Sequence, residues 1–154
     1  MDRALHYKNV YQDILQQLKA LCVEHYGERL VSLVVFGSVA KKTFSPASDI
    51  DLLLVFTDKR GNYEEFSDYY DNVESKLVFP EGFHIEINPI FKSKGQLSVK
   101  TPYLWNTEFL ILYDREGFFR EFMAKLKKYK ENFLVTCNKS LEYTMFRDDE
   151  QRAD

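Results

Sequence analysis

Two aspartates one residue apart, Asp49 and Asp51, head an apolar run, Leu52-Leu53-Leu54-Val55-Phe56, and ten residues separate the first of them from Gly37-Ser38. In an extended strand alternate side chains share a face, so Asp49 and Asp51 project together while Ile50 and Leu52 face the other way. Two carboxylates about 4 Å apart would repel by about 4 kcal/mol at an effective dielectric of about 20. A cation between them, or a proton on one of them, removes that cost. Hard oxygen donors so placed suit Mg2+ or Mn2+. Upstream, Gly37 ends the apolar run Leu30-Val31-Ser32-Leu33-Val34-Val35-Phe36 and lets the backbone turn sharply against a ligand. Ser38 opens Val39-Ala40-Lys41-Lys42, a short helical start whose free backbone N–H groups fit a phosphate. Lys41 and Lys42 either reach that phosphate as point charges or are simply solvated. Ser45-Pro46-Ala47-Ser48 is a turn that delivers the chain to Asp49, with Ser48 in a structural role.

Taken together, the Gly37-Ser38 turn, the ten-residue spacing, Ser48, Asp49-Ile50-Asp51 and the flanking apolar strands resemble the signature of the DNA polymerase β-type nucleotidyltransferase superfamily. In particular they resemble its small members, the minimal nucleotidyltransferases (MNT). The resemblance covers residues 28 to 130 and implies that Gly37 and Ser38, with Lys41 and Lys42 nearby, hold a nucleoside triphosphate. It also implies that Asp49 and Asp51 carry two Mg2+ ions, and that a third carboxylate on a neighbouring strand completes the site. Phe83-His84-Ile85-Glu86-Ile87-Asn88-Pro89-Ile90-Phe91 supplies that strand. His84, Glu86 and Asn88 share one face by alternation, and Glu86 is the expected third acid, either as a metal ligand or as the general base. The family more often has aspartate there. His84 is expected to be a structural or rim residue rather than a ligand, because the oxygen donors already suffice.

The implied reaction is metal-dependent transfer of AMP from ATP to a hydroxyl acceptor. In small family members the recurring partner is a HEPN-domain toxin, which the MNT protein counters as antitoxin by adenylylating a tyrosine. An aminoglycoside-like small-molecule acceptor is the alternative enzyme reading. A non-catalytic module that only sequesters its partner is the contrasting class.

Around this centre the resemblance implies an α/β (α+β) nucleotidyltransferase fold, a small mixed β-sheet packed with α-helices. Val10, Ile14, Leu15, Leu18, Leu21 and Cys22 recur at helical steps, giving an amphipathic helix over 5 to 26 that stops at Gly27. Tyr63, Phe66, Tyr70, Val73 and Leu77 form a second helical stripe, expected to face the core. The Glu86 strand should end near Pro89, and residues 92 to 102 read as a mobile loop. A strand over 109 to 113 and a helix over 118 to 129 follow, with lysines 125, 127, 128 and 130 on a solvated face. Residues 132 to 146 read as a further helix or strand, and 147 to 154 as a frayed end.

The 154 residues are read as one nucleotidyltransferase domain, large enough to bury its own core. No stretch has the plan of a signal peptide or the length of a membrane span, which points to the cytoplasm and to no membrane partner. Cys22 and Cys137 lack metal-ligand spacing and are expected to be reduced and buried in packing. The net charge of −3 gives no drive toward an extended nucleic acid. Homo-oligomerisation is left open by the sequence.

Overall fold

The apolar runs become the strands of one sheet. In this computed structural model, residues 3–41, 44–101, 104 and 108–145 are described, with side chains described over 6–41, 44–101, 104 and 108–135. Strand β1 (Leu30–Phe36) pairs antiparallel with β2 (Ile50–Phe56), which pairs parallel with β3 (Ile87–Ser93), and β4 (Phe109–Asp114) pairs antiparallel with the other side of β1. The order β3-β2-β1-β4 makes a four-stranded mixed sheet. This is the small mixed sheet packed with helices that the family resemblance implies.

Both faces of the sheet are covered, which explains why β1 and β2 are nearly continuous in apolar residues rather than alternating. On one face lie helix α1 (Arg3–Tyr26) and helix α3 (Asn62–Asn72). Ile14, Leu18 and Cys22 pack there against Leu33, Val35, Leu52 and Leu54. On the other face helix α4 (Phe118–Met145) places Phe119, Phe122 and Leu126 against Val34, Leu53 and Val55. Each such aliphatic or aromatic side chain contributes about 1.5 to 3 kcal/mol by leaving water. Helix α1 ends where expected, at Gly27, whose φ of +56° no β-branched residue would accept.

Several expectations are corrected. Tyr63, Phe66 and Tyr70 are 81 %, 47 % and 49 % exposed, whereas Glu65, Tyr69 and Val73 are buried. Val73 faces the core as the stripe predicts, and Leu77 packs against it. Elsewhere α3 is turned so that a carboxylate takes the inner face. That turn is stabilised by ions: Arg29 Nη2 lies 2.6 Å from Glu65 Oε2 and Arg60 Nη2 lies 2.8 Å from Oε1, with the Arg60 backbone N–H donating to Oε2 at 3.0 Å. Burial by itself would raise the Glu65 carboxyl. The hydrogen bonds from Arg60 and Arg29 outweigh it and hold the group below the ordinary carboxylate range.

Strand β3 begins at Ile87, after a turn in which Phe83 N–H donates to Pro80 O and Gly82 takes φ +86°, and it runs through Pro89 to Ser93. Proline is tolerated because β3 is an edge strand. The expected loop from 92 is therefore strand at Lys92 and Ser93, followed by a single helical turn, Lys94–Gln96, closed by a Ser93/Gln96 capping box. Leu97 and Val99 pack on the core beyond it. Helix α4 continues without a break to Met145, so the segment from 132 is the same helix, with Phe133, Leu134 and Val135 exposed. The frayed end expected at 147 to 154 lies outside the described residues, as do Lys42 and the Cys137 side chain. No helix among the described residues is long and apolar enough to cross a membrane.

Candidate active site

The antiparallel register of β1 with β2 sets Phe36 opposite Asp51, so the turn after β1 comes up against the aspartates at the head of β2. Gly37 has φ +79°, and a Cβ placed on it would lie 2.5 Å from Asp51 Oδ2. Backbone conformation and space both demand glycine at this position. The chain then enters the four-residue helix α2 (Ser38–Lys41), with Lys41 N–H donating to Gly37 O at 3.3 Å. Ser38 and Lys41 are exposed beside the turn.

From the other side, the parallel register sets Asn88 beside Asp51. The Asn88 amide nitrogen donates to Asp51 Oδ1 at 3.1 Å and to Asp49 Oδ2 at 3.4 Å. One neutral amide thus bridges two carboxylates that would otherwise repel. Asp49 and Asn88 are exposed and Asp51 is half-buried, so a ligand has access.

Glu86 lies one residue before β3, where its backbone carbonyl accepts the Ile50 N–H at 2.9 Å. Its own residue is exposed and borders a cleft with Tyr70, Glu74, Phe79 and His84. His84 borders the same cleft, exposed with its ring 5.8 Å from that of Phe79. Among the described residues no three His, Cys, Asp or Glu side chains are grouped so as to hold a metal. The structure therefore gathers Gly37, Asp49 and Asp51, sets Ser38 and Lys41 next to them, and leaves the Glu86 carboxylate out of the pair's cluster.

A second layer was not read from sequence. Tyr11 on α1 donates its hydroxyl to the carbonyl oxygens of Ser48 and of Pro46, the latter at 3.3 Å, and Tyr7 donates to Phe44 O at 2.9 Å. The Tyr11 and Phe44 rings stack obliquely with centroids 4.7 Å apart. Burial raises the Tyr11 hydroxyl, and the Asp49 charge raises it further, which places this phenol within electrostatic reach of the site. Ser48 has the structural role expected: its Oγ accepts the Ser45 N–H at 3.0 Å and closes the turn. The contacts of Tyr7 and Tyr11 span more than thirty residues of chain, so no local pattern announces them. Asn88 had a signal, its place on the same strand face as Glu86.

The donor set fits a hard divalent cation. Two carboxylates from alternate positions of one strand, converging on a common amide, are oxygen donors of the kind that Mg2+ and Mn2+ take. The pair also has a fixed backbone cradle in Gly37.

Comparison with known proteins gives the family of the chain. A family model described as a nucleotidyltransferase domain matches residues 14–139. A Methanocaldococcus jannaschii protein described as a candidate protein adenylyltransferase is 26% identical over 124 residues, covering 78% of this chain and 83% of its own. A Staphylococcus aureus aminoglycoside nucleotidyltransferase (4') is 26% identical over 102 residues, 54% of this chain, and the match spans only 40% of that enzyme. Among solved structures, a toxin–antitoxin with AMP-PNP superimposes with a TM-score of 0.54 at 13% identity, over 85% of this chain and 98% of its own. The toxin–antitoxin MntA–HepT does so with a TM-score of 0.50 at 12% identity, over 87% and 98%. At such identities the structural matches show a shared fold.

Proposed function

We infer the reaction from one premise: the chain belongs to the nucleotidyltransferase domain family and is a nucleotidyltransferase. The reading we propose is transfer of AMP from ATP to a hydroxyl of a partner protein, a tyrosine of a HEPN-type toxin, with this chain as the cytoplasmic antitoxin. The observation that carries it is the Asp49/Asp51 pair held between the Gly37 turn and Asn88. Its support for a protein acceptor is the adenylyltransferase relative, most of whose length this chain covers, and the toxin–antitoxin fold of the structural neighbours.

In this reading Asp49 and Asp51 hold Mg2+, which when bound neutralises the triphosphate and lowers the pKa of the acceptor hydroxyl. Gly37 and Ser38 bind the leaving phosphates through backbone N–H and hydroxyl donors, and Lys41 and Lys42 add positive charge. The acceptor oxygen attacks the α-phosphorus in line. The bond from that phosphorus to the bridging oxygen breaks, and pyrophosphate leaves with the electron pair. Glu86 takes the acceptor proton. Its backbone carbonyl, one residue before β3, is tied to the Ile50 N–H between the two aspartates, which supports a base that reaches the acceptor from outside the carboxylate pair. Holding the reactants in line contributes more than any bond the protein itself makes.

Incubating the protein with α-labelled ATP, Mg2+ and host lysate tests this. Label on one protein band, absent with the Asp49→Asn/Asp51→Asn double variant, supports the proposal. Label confined to small molecules would favour the aminoglycoside-like acceptor, to which the S. aureus relative points. No transfer at all, with retained partner binding by the double variant, would leave a sequestering module.

A further inference from the structure

We propose that Asn88 is the third, uncharged member of the metal-binding set, in the place where a third acid was expected from Glu86. The argument is geometric. Asn88 and Asp51 are register partners on adjacent parallel strands, so their side chains leave the sheet on one face at the inter-strand spacing of about 4.8 Å. The Asn88 amide nitrogen already touches an oxygen of each aspartate, at 3.1 and 3.4 Å. Glu86 has no such contact, and no third acid joins the pair among the described residues.

An amide has both a donor and an acceptor end. With its nitrogen toward the carboxylates, Asn88 offsets their repulsion and keeps both in position when no cation is there. Turned about its last torsion, the same group offers its carbonyl oxygen, a ligand type that hard cations accept. The set then carries two negative charges instead of three. The free protein therefore holds a divalent cation weakly, and the cation is retained chiefly together with the triphosphate it neutralises. This inference rests on the nucleotidyltransferase reading of the site but can be tested without any transfer reaction.

The test is Mn2+ binding to nucleotide-free protein, followed by the electron paramagnetic resonance of free Mn2+ and checked by calorimetry. Wild type, Asn88→Ala, Asn88→Asp and Glu86→Gln are compared, with near-ultraviolet circular dichroism confirming that each is folded. Asn88→Asp is expected to tighten Mn2+ roughly tenfold and Asn88→Ala to weaken it by a similar factor, with Glu86→Gln unchanged. Asn88→Asp should also melt at a lower temperature than wild type without metal and recover with Mn2+. Equal affinities for wild type and both Asn88 variants would overturn the proposal. So would a loss in Glu86→Gln that Asn88→Ala does not share. Failure of label transfer by a wild-type protein that shows these Mn2+ differences would remove the proposed function and leave the Asn88 assignment standing.

Discussion

The carboxylate of Asp51 fills the space that a side chain on Gly37 would need, with Oδ2 only 2.5 Å from where a Cβ would sit. The turn after β1 and the head of β2 are thus one object. Gly37 also sits at φ +79°, so alanine there meets both backbone strain and a displaced carboxylate. Gly37→Ala is expected to cost about 2 kcal/mol of stability. It should also weaken nucleotide binding, because the alanine methyl can be accommodated only by moving Asp51. Urea denaturation and titration with a fluorescent ATP analogue check the two effects. Wild-type nucleotide affinity in a destabilised variant would show that the Asp51 position is not shared with the ligand.

Tyr11 secures the approach to Asp49 from a different element. Its single hydroxyl serves the carbonyls of both Pro46 and Ser48, so Tyr11→Phe leaves two carbonyls without their donor. A loss of about 1 kcal/mol in stability is expected. A larger effect should fall on rate, roughly ten- to a hundredfold in kcat, with KM for ATP little changed, since Asp49 shifts while the Gly37 turn stays. Tyr7→Phe, which frees only the more distant Phe44 carbonyl, should change kcat less. Equal kinetics for the two variants would separate loop anchoring from site geometry.

Cys22 reports on the integrity of the α1–sheet interface. Its side chain is fully buried, and burial pushes the thiol up to about 12. In native protein it should resist a thiol reagent at pH 8 over hours and react at once in urea. A Cys137→Ser background isolates the reading. Prompt modification of Cys22 in that native background would mean that α1 opens from the sheet far more readily than its packing against Leu33 and Leu54 allows.

The local parts of this molecule were legible and the long-range parts were not. Asp49 and Asp51 share a site because strand geometry alone dictates it, and Gly27 and Gly37 mark real ends because their backbone angles demand glycine. The face that α3 turns inward could not be read from periodicity. Tyr63, Phe66 and Tyr70 form as good a helical stripe as Tyr69 and Val73, and the face turned inward is the one on which Glu65 meets Arg60 nearby and Arg29 from far away in sequence. Asn88 was visible on the right strand face, but its pairing with Asp51 depends on a parallel register that no single strand reveals. Tyr11 had no sequence signal at all, since its partners are backbone carbonyls and any residue type could supply them.

The Glu65 network makes acid stability the most direct probe of the far end of the sheet. Because hydrogen bonds from Arg60 and Arg29 hold the Glu65 carboxyl below the ordinary carboxylate range despite its burial, the folded state favours the ionised form more than the unfolded chain does. That stability is fully present above the unfolded carboxylate range and is lost as pH falls through the lower, folded value. Replacing the carboxylate by Glu65→Ala should cost about 2 to 3 kcal/mol near neutral pH, below the range for a fully enclosed pair because Arg60 remains in water. Glu65→Gln keeps the shape, loses the charge, and should flatten the acid limb of a melting-temperature profile while lowering its plateau. Acid limbs that run parallel in wild type and Glu65→Gln would mean that other carboxylates, not this one, set the acid sensitivity of the fold.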